Sequence, residues 1–162
     1  MRPSLNPEVA RLITSEVIDG RRDRGEAGVV PGEAGTSAEE IIMDFDTVAA
    51  QYITAFNATD ATERKAFIGE VFAADVSYVD PMAAVAGHDG VDAFIAGAHQ
   101  QFPGWVFSLL GPVDGHGAQA RFTWGLGPAG EEPPVVGFDV VVLDEEGRIA
   151  QVLGFLDKVP SA

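Results

Sequence analysis

The chain has 162 residues, a formal net charge of -15, no cysteine and 46% hydrophobic residues. That length suits one domain with a single core, and the hydrophobic fraction excludes a wholly disordered chain. A disulfide framework, a thiolate metal site and a cysteine nucleophile are excluded as well. Ten Lys and Arg stand against 25 Asp and Glu, which argues against nucleic acid and anionic membranes as partners. No apolar run approaches the ~20 residues of a membrane span. Arg2, Glu8, Arg11 and Glu16 break up any signal-peptide core. A soluble cytoplasmic protein is expected.

Residues 1–36 read as an extension. Asn6-Pro7 has the form of an N-cap with proline at the first helical position. Val9, Leu12, Ile13 and Val17 follow at helical spacing, so an amphipathic helix is predicted over 6–19. Glycines at 20, 25, 28, 32 and 35 then mark a linker. Two readings stay open: a poorly ordered tail, or a helix docked on its own body, a sister subunit or another protein. The domain proper is predicted over 37–162.

Ser37 and Glu40 have capping-box spacing. They open a long predicted helix with Ile41, Phe45, Val48, Ala49, Tyr52, Ile53 and Phe56 on one face, ending near Asn57. Asp60 caps a second helix, followed by Glu63, with Phe67, Ile68, Val71 and Phe72 as its apolar side. Ala74-Asp75 reads as a turn into a strand over 76–80, closed by Pro81. A third helix is predicted from Asp89 to Phe102 and is stopped by Pro103-Gly104. Strands are predicted over 106–113, 120–126, 135–143 and 148–157, with a turn at Asp144-Glu145-Glu146-Gly147. Helices followed by a run of strands make an α+β pattern: a curved sheet with helices on one face.

Asp139 is the most informative polar residue. It lies inside Val135-Val136-Gly137-Phe138-Asp139-Val140-Val141-Val142-Leu143, a strand apolar on both sides of its pleat. A carboxyl group there must be hydrogen-bonded, paired or kept protonated. It either bonds a nearby backbone group or Arg121, or faces an apolar pocket. Asp80 ends Tyr78-Val79-Asp80-Pro81, as a turn former or as an accessible base at the sheet rim. Tyr52 is a core tyrosine or a buried hydroxyl donor. Phe122, Trp124 and Leu126 share one strand face, as core or as cavity lining. His88, His99 and His116 fit no metal motif, and no phosphate loop or nucleophile elbow is present. No metal or cofactor is expected.

Three segments carry a family resemblance. They are Gln51 to Asp60, Phe72 to Pro81, and Gly137-Phe138-Asp139 before the final hairpin. Over about residues 45–159 the chain resembles the SnoaL-like branch of the nuclear transport factor 2-like superfamily, and chemically it is similar to ketosteroid isomerase. The resemblance implies a conical α+β fold, with a strongly curved, mainly antiparallel sheet wrapped around three helices and a deep apolar pocket. It also implies a homodimer through the outer sheet face and a small apolar ligand. By position it makes Asp80 the catalytic base. Tyr52 and a neutral Asp139 become donors to an enolate oxygen, the arrangement described for that isomerase. Phe94, Phe122, Trp124, Val141 and Phe155 match pocket-lining positions. The expected activity is cofactor-free isomerisation or cyclisation of a small apolar ketone. The superfamily also includes epoxide hydrolases, which would need an Asp-Arg-Asp cluster, and non-catalytic binding modules. Arg121 alternates with Phe122 and Trp124 and is expected to point away from a cavity. Asp157 has no assigned place.

Overall fold

In the computed structural model, residues 44–160 are described. The predicted helix over 6–19, the linker, the Ser37–Glu40 capping box and Ile41 lie outside them.

Helix α1 spans Phe45–Asn57. It begins at Asp44 rather than near Ser37, because Asp44 is non-helical and its carboxylate accepts the backbone N–H of Thr47 at 3.2 Å and the Thr47 hydroxyl at 2.6 Å. Its buried face is Ala49, Tyr52, Ala55 and Phe56. At its end, the Asn57 amide donates to the Phe107 carbonyl at 2.9 Å and accepts the Phe107 N–H at 2.7 Å. One side chain thus satisfies both backbone groups of a strand residue on the sheet edge. Helix α2, Ala61–Val71, starts at the expected cap, where Asp60 accepts the Glu63 N–H at 2.9 Å. Helix α3 covers Gly87–Gln101, with Val91 and Ile95 fully buried.

The strands are β1 (Phe72–Val79), β2 (Ala84–Ala86), β3 (Trp105–His116), β4 (Gln119–Pro128), β5 (Val135–Leu143) and β6 (Ile149–Lys158). They form one sheet in the order β2-β1-β6-β5-β4-β3. The β1–β6 pair is parallel, and every other pairing is antiparallel. No turn separates α2 from β1. Phe72 leaves the helix in an extended conformation, and the irregular stretch between Phe72 and Ser77 is a register shift against β6. Further shifts lie in the β3–β4 and β5–β6 pairs. Such irregularities bend the sheet, which curves around the helices. At the β5–β6 turn, Gly147 takes φ 81°, a left-handed conformation that suits glycine.

Arg64 is the main departure from the apolar face expected on α2. It is buried, its Nε lies 2.7 Å from Asp92 Oδ1 on α3, and its Nη1 donates to the carbonyls of Ala58 and Thr59. A charged core residue is tolerated because its donors find partners. It clasps α2, α3 and the end of α1 together.

Candidate functional site

The cone encloses a cavity of about 300 Å³, at the lower end of the size common for small-molecule sites. Its walls are mostly apolar: Phe56 from α1, Phe94, Ala98 and Phe102 from α3, Phe107 from β3, Trp124 and Leu126 from β4, and Leu156 from β6. Tyr78 and Asp80 form its polar patch, Gln101 sits at the exposed end of α3, and Val159 and Pro160 also contribute to the wall.

The patch follows from the period of two in β1. Val76 and Tyr78 are buried, Ser77 and Val79 are exposed, and Asp80 continues the inward side just past the strand. Asp80 Oδ1 accepts the N–H groups of Met82 at 2.8 Å and Ala83 at 2.9 Å, and its own N–H donates to the Ala83 carbonyl. Asp80 Oδ2 accepts the Tyr78 hydroxyl at 2.7 Å. Asp80 is thus both the turn former and a carboxylate on the cavity wall. Tyr78 was not picked out by sequence reasoning, although it stands two residues before Asp80 on the same strand face.

Behind this wall lies a second phenol–carboxyl pair. The Tyr52 hydroxyl donates to Asp139 Oδ2 at 2.6 Å, and both residues are almost fully buried. Neither lines the cavity. Burial raises the pKa of Asp139 from 3.8 to about 6. The Tyr52 hydroxyl and the Trp124 indole favour its charged form, while the negative charge of Asp80 opposes it. Trp124 Nε1 lies beside Asp139 but makes no hydrogen bond of good geometry, and among the described residues it is a buried donor without a partner. Burial, followed by the nearby carboxylates, raises the pKa of Tyr52 and of Tyr78 well above the ordinary 10. Both phenols therefore stay protonated and can donate at neutral pH.

Two glycines make these approaches possible. Gly154 lies opposite Asp139 in the β5–β6 register. A Cβ there would meet Asp80 Cβ at 2.9 Å and Asp139 Oδ1 at 3.0 Å, so both carboxyl side chains crowd one missing methyl group. Gly137 lies opposite Trp124 in the β4–β5 register, and a Cβ there would overlap the indole ring.

The remaining expected site residues divide by position. Phe94 and Trp124 line the cavity. Phe122 and Val141 are on the inner side of the sheet but are buried in the core beyond the cavity, with the Phe122 ring 5.1 Å from that of Tyr52. Phe155 is a correction: it is 53% exposed on the outer face, 6.3 Å from Phe138, while Leu156 takes the inward place. The cause is a bulge, since Leu143 pairs with Ile149 but Val142 pairs with Gln151. The extra residue, Ala150, reverses the side on which every later β6 side chain falls. Arg121 points outward, 63% exposed and 3.2 Å from Asp114, and among the described residues no arginine lines the cavity. Asp157 is exposed. His88 and His99 bond the carbonyls of Phe72 and Phe56. Among the described residues no cluster of three or more His, Asp or Glu could hold a metal ion. None of the described helices is long and apolar enough to cross a membrane.

A bent sheet closing on the three described helices around an apolar cavity, with a carboxylate in its wall, defines a conical small-molecule domain. The SnoaL-like domain family matches residues 49–152. The chain belongs to this family. Among solved structures it is similar to a candidate isomerase of the SnoaL-like family from Agrobacterium tumefaciens, at 42% identity and TM-score 0.67 over 70% of this chain and 97% of that one. It also resembles a candidate polyketide cyclase from Sinorhizobium meliloti, at 20% identity and TM-score 0.55 over 71% and 97% of the two chains. An NTF2-like protein of unknown function from Cytophaga hutchinsonii shares the fold at 12% identity and TM-score 0.51, over 73% and 94%. No curated protein matches the chain significantly.

Proposed function

We propose that this protein is a cofactor-free enzyme that moves a proton next to the carbonyl of a small, mainly apolar ketone, giving isomerisation or cyclisation. The observation that carries this reading is the Asp80 carboxylate on the wall of an otherwise apolar cavity. With Oδ1 occupied by two backbone N–H groups, Oδ2 is the atom left to take a proton. A positioned base of this kind typically contributes ~10²–10⁴-fold to rate. Tyr52 and Asp139 act from behind the wall, as a polar pair against which the cavity residues are set. The relatives described as a candidate isomerase and a candidate polyketide cyclase support a reaction of this class.

The reading includes a homodimer through the outer sheet face. Val79 pairs with Leu153, Leu153 with Val140, and Phe155 with Phe138. Val79, Leu153 and Phe155 are exposed there at 50%, 37% and 53%, a continuous apolar strip of the kind that marks association.

The test uses cyclohex-3-en-1-one, whose conversion to the conjugated enone is followed by ultraviolet absorbance. The parent protein is expected to accelerate it, and Asp80→Asn to lose at least ~10²-fold in kcat. Equal turnover by parent and Asp80→Asn, or no acceleration by the parent, would refute the reading.

A further inference from the structure

Taking a proton from carbon leaves a negative charge that must be met elsewhere. As the C–H bond breaks, its electron pair becomes the new C=C bond, the carbonyl π pair moves onto oxygen, and the proton goes to Asp80 Oδ2. Charge leaves the carboxylate and appears on the carbonyl oxygen. A donor aimed at that oxygen is usually worth a large share of the rate.

Tyr52 and Asp139 are joined to each other at 2.6 Å and do not reach the cavity. Gln101 sits at the exposed end of α3. Trp124 Nε1 is sealed within the protein beside Asp139. That leaves Tyr78. Its ring lines the cavity and is 2% exposed, its hydroxyl is 2.7 Å from Asp80 Oδ2, and the neighbouring Phe94 ring lies 4.8 Å away.

We infer that Tyr78 is a second catalytic residue of this site, donating to the substrate oxygen as that oxygen becomes charged. The inference rests on the proton-abstraction reading. In a ketone the carbonyl oxygen lies only about 2.4 Å from the carbon that loses the proton. A substrate presenting its C–H to Asp80 Oδ2 therefore brings its oxygen within reach of a hydroxyl hydrogen-bonded to that same Oδ2. Before the transfer, the phenol donates to the charged carboxylate. Afterwards Asp80 is neutral and carries its own O–H. The phenol proton turns about its C–O bond toward the enolate oxygen. Return of the Asp80 proton to a different carbon of the enolate restores both groups, with no other reactant consumed. The donor follows the charge, and the class of substrate is a ketone whose oxygen is held toward β1.

Two measurements test this. Tyr78→Phe removes one oxygen and keeps the ring. Its kcat for cyclohex-3-en-1-one should fall ~10²–10³-fold, with KM within a few-fold of the parent. The second measurement needs no turnover. In Asp80→Asn, the amide imitates the protonated base and 4-nitrophenolate imitates the enolate oxygen. Binding read from the shift of its visible absorbance should weaken at least tenfold when Tyr78→Phe is added, and by much less when Tyr52→Phe is added instead. Equal binding with and without the Tyr78 hydroxyl, no binding to either protein, or Tyr78→Phe turnover within about fivefold of the parent overturns the assignment. If Asp80→Asn alone still abolishes turnover in that event, the proton-abstraction reading stands while the role of Tyr78 falls.

Discussion

The buried carboxyl group of Asp139 should leave a signature on stability that one substitution removes. Asp139 binds its proton more tightly in the folded protein, with a pKa of about 6, than in the unfolded chain at 3.8. Between those values the native state holds more protons, so stability falls as pH rises, and by about pH 7 the loss is complete. At about 1.4 kcal/mol per tenfold change in proton affinity, the full effect is about 3 kcal/mol. Some of it is already lost at about pH 4, where the unfolded chain has begun to ionise, so about 2 kcal/mol remains between there and about pH 7. Asp139→Asn keeps an acceptor for the Tyr52 hydroxyl but cannot titrate. Urea unfolding, followed by tryptophan fluorescence from about pH 4 to about pH 7, isolates the difference between variant and parent. Carboxylates common to both proteins cancel. The stability of Asp139→Asn relative to the parent should increase by about 2 kcal/mol across that range. A difference that stays flat, or that moves in favour of the parent, would show that Asp139 is not held against ionisation by burial.

Two more substitutions probe the frame around the site. Gly137→Ala places a methyl group into the Trp124 indole, and should destabilise by about 1–3 kcal/mol with a changed near-ultraviolet circular dichroism band. An unaltered band and urea midpoint would mean the indole does not rest on that glycine. Arg64→Met removes the partner of Asp92 and two carbonyl contacts. It should destabilise by about 3 kcal/mol in urea unfolding at neutral pH, and a loss below about 1 kcal/mol would indicate that water replaces the guanidinium without penalty.

The elements that could be read from the chain were those with a strong local period. The Asp60 cap, the Val91–Ile95 face of α3, and strands β3 to β6 all carry side chains whose spacing alone fixes helix or strand. What could not be read depended on partners far along the chain. Ala73, Ala74 and Asp75 are poor strand formers, yet they belong to β1 as the irregular stretch between two pairings with β6, Phe72 with Ile149 and Ser77 with Gln151. The three residues of β2 have no pattern of their own and are strand only through pairing with Ser77 to Val79. Phe155 and Leu156 could not be sorted into outside and inside without knowing that Ala150 was the extra residue of a bulge. At the site, Asp80 and Asp139 drew notice because acids are unusual in such strands. Tyr78 did not, because a tyrosine in a strand is ordinary. Arg64 carries no such signal, because it stands between the charged Glu63 and Lys65 in the chain.

The parallel seam between β1 and β6 has a consequence for how the molecule comes into being. The strand that leads into Asp80 is the first of the six described strands to be made, but its neighbour β6 is the last of them to leave the ribosome. Contacts of such wide sequence separation form late and slow folding. During synthesis the early half waits with one edge of β1 unclaimed, open to pairing with the wrong chain. Completion of the final ten-residue strand closes that edge and seats Gly154 against both acids in the same event. Maturation of the cavity and protection from aggregation therefore occur together, once β6 has been made.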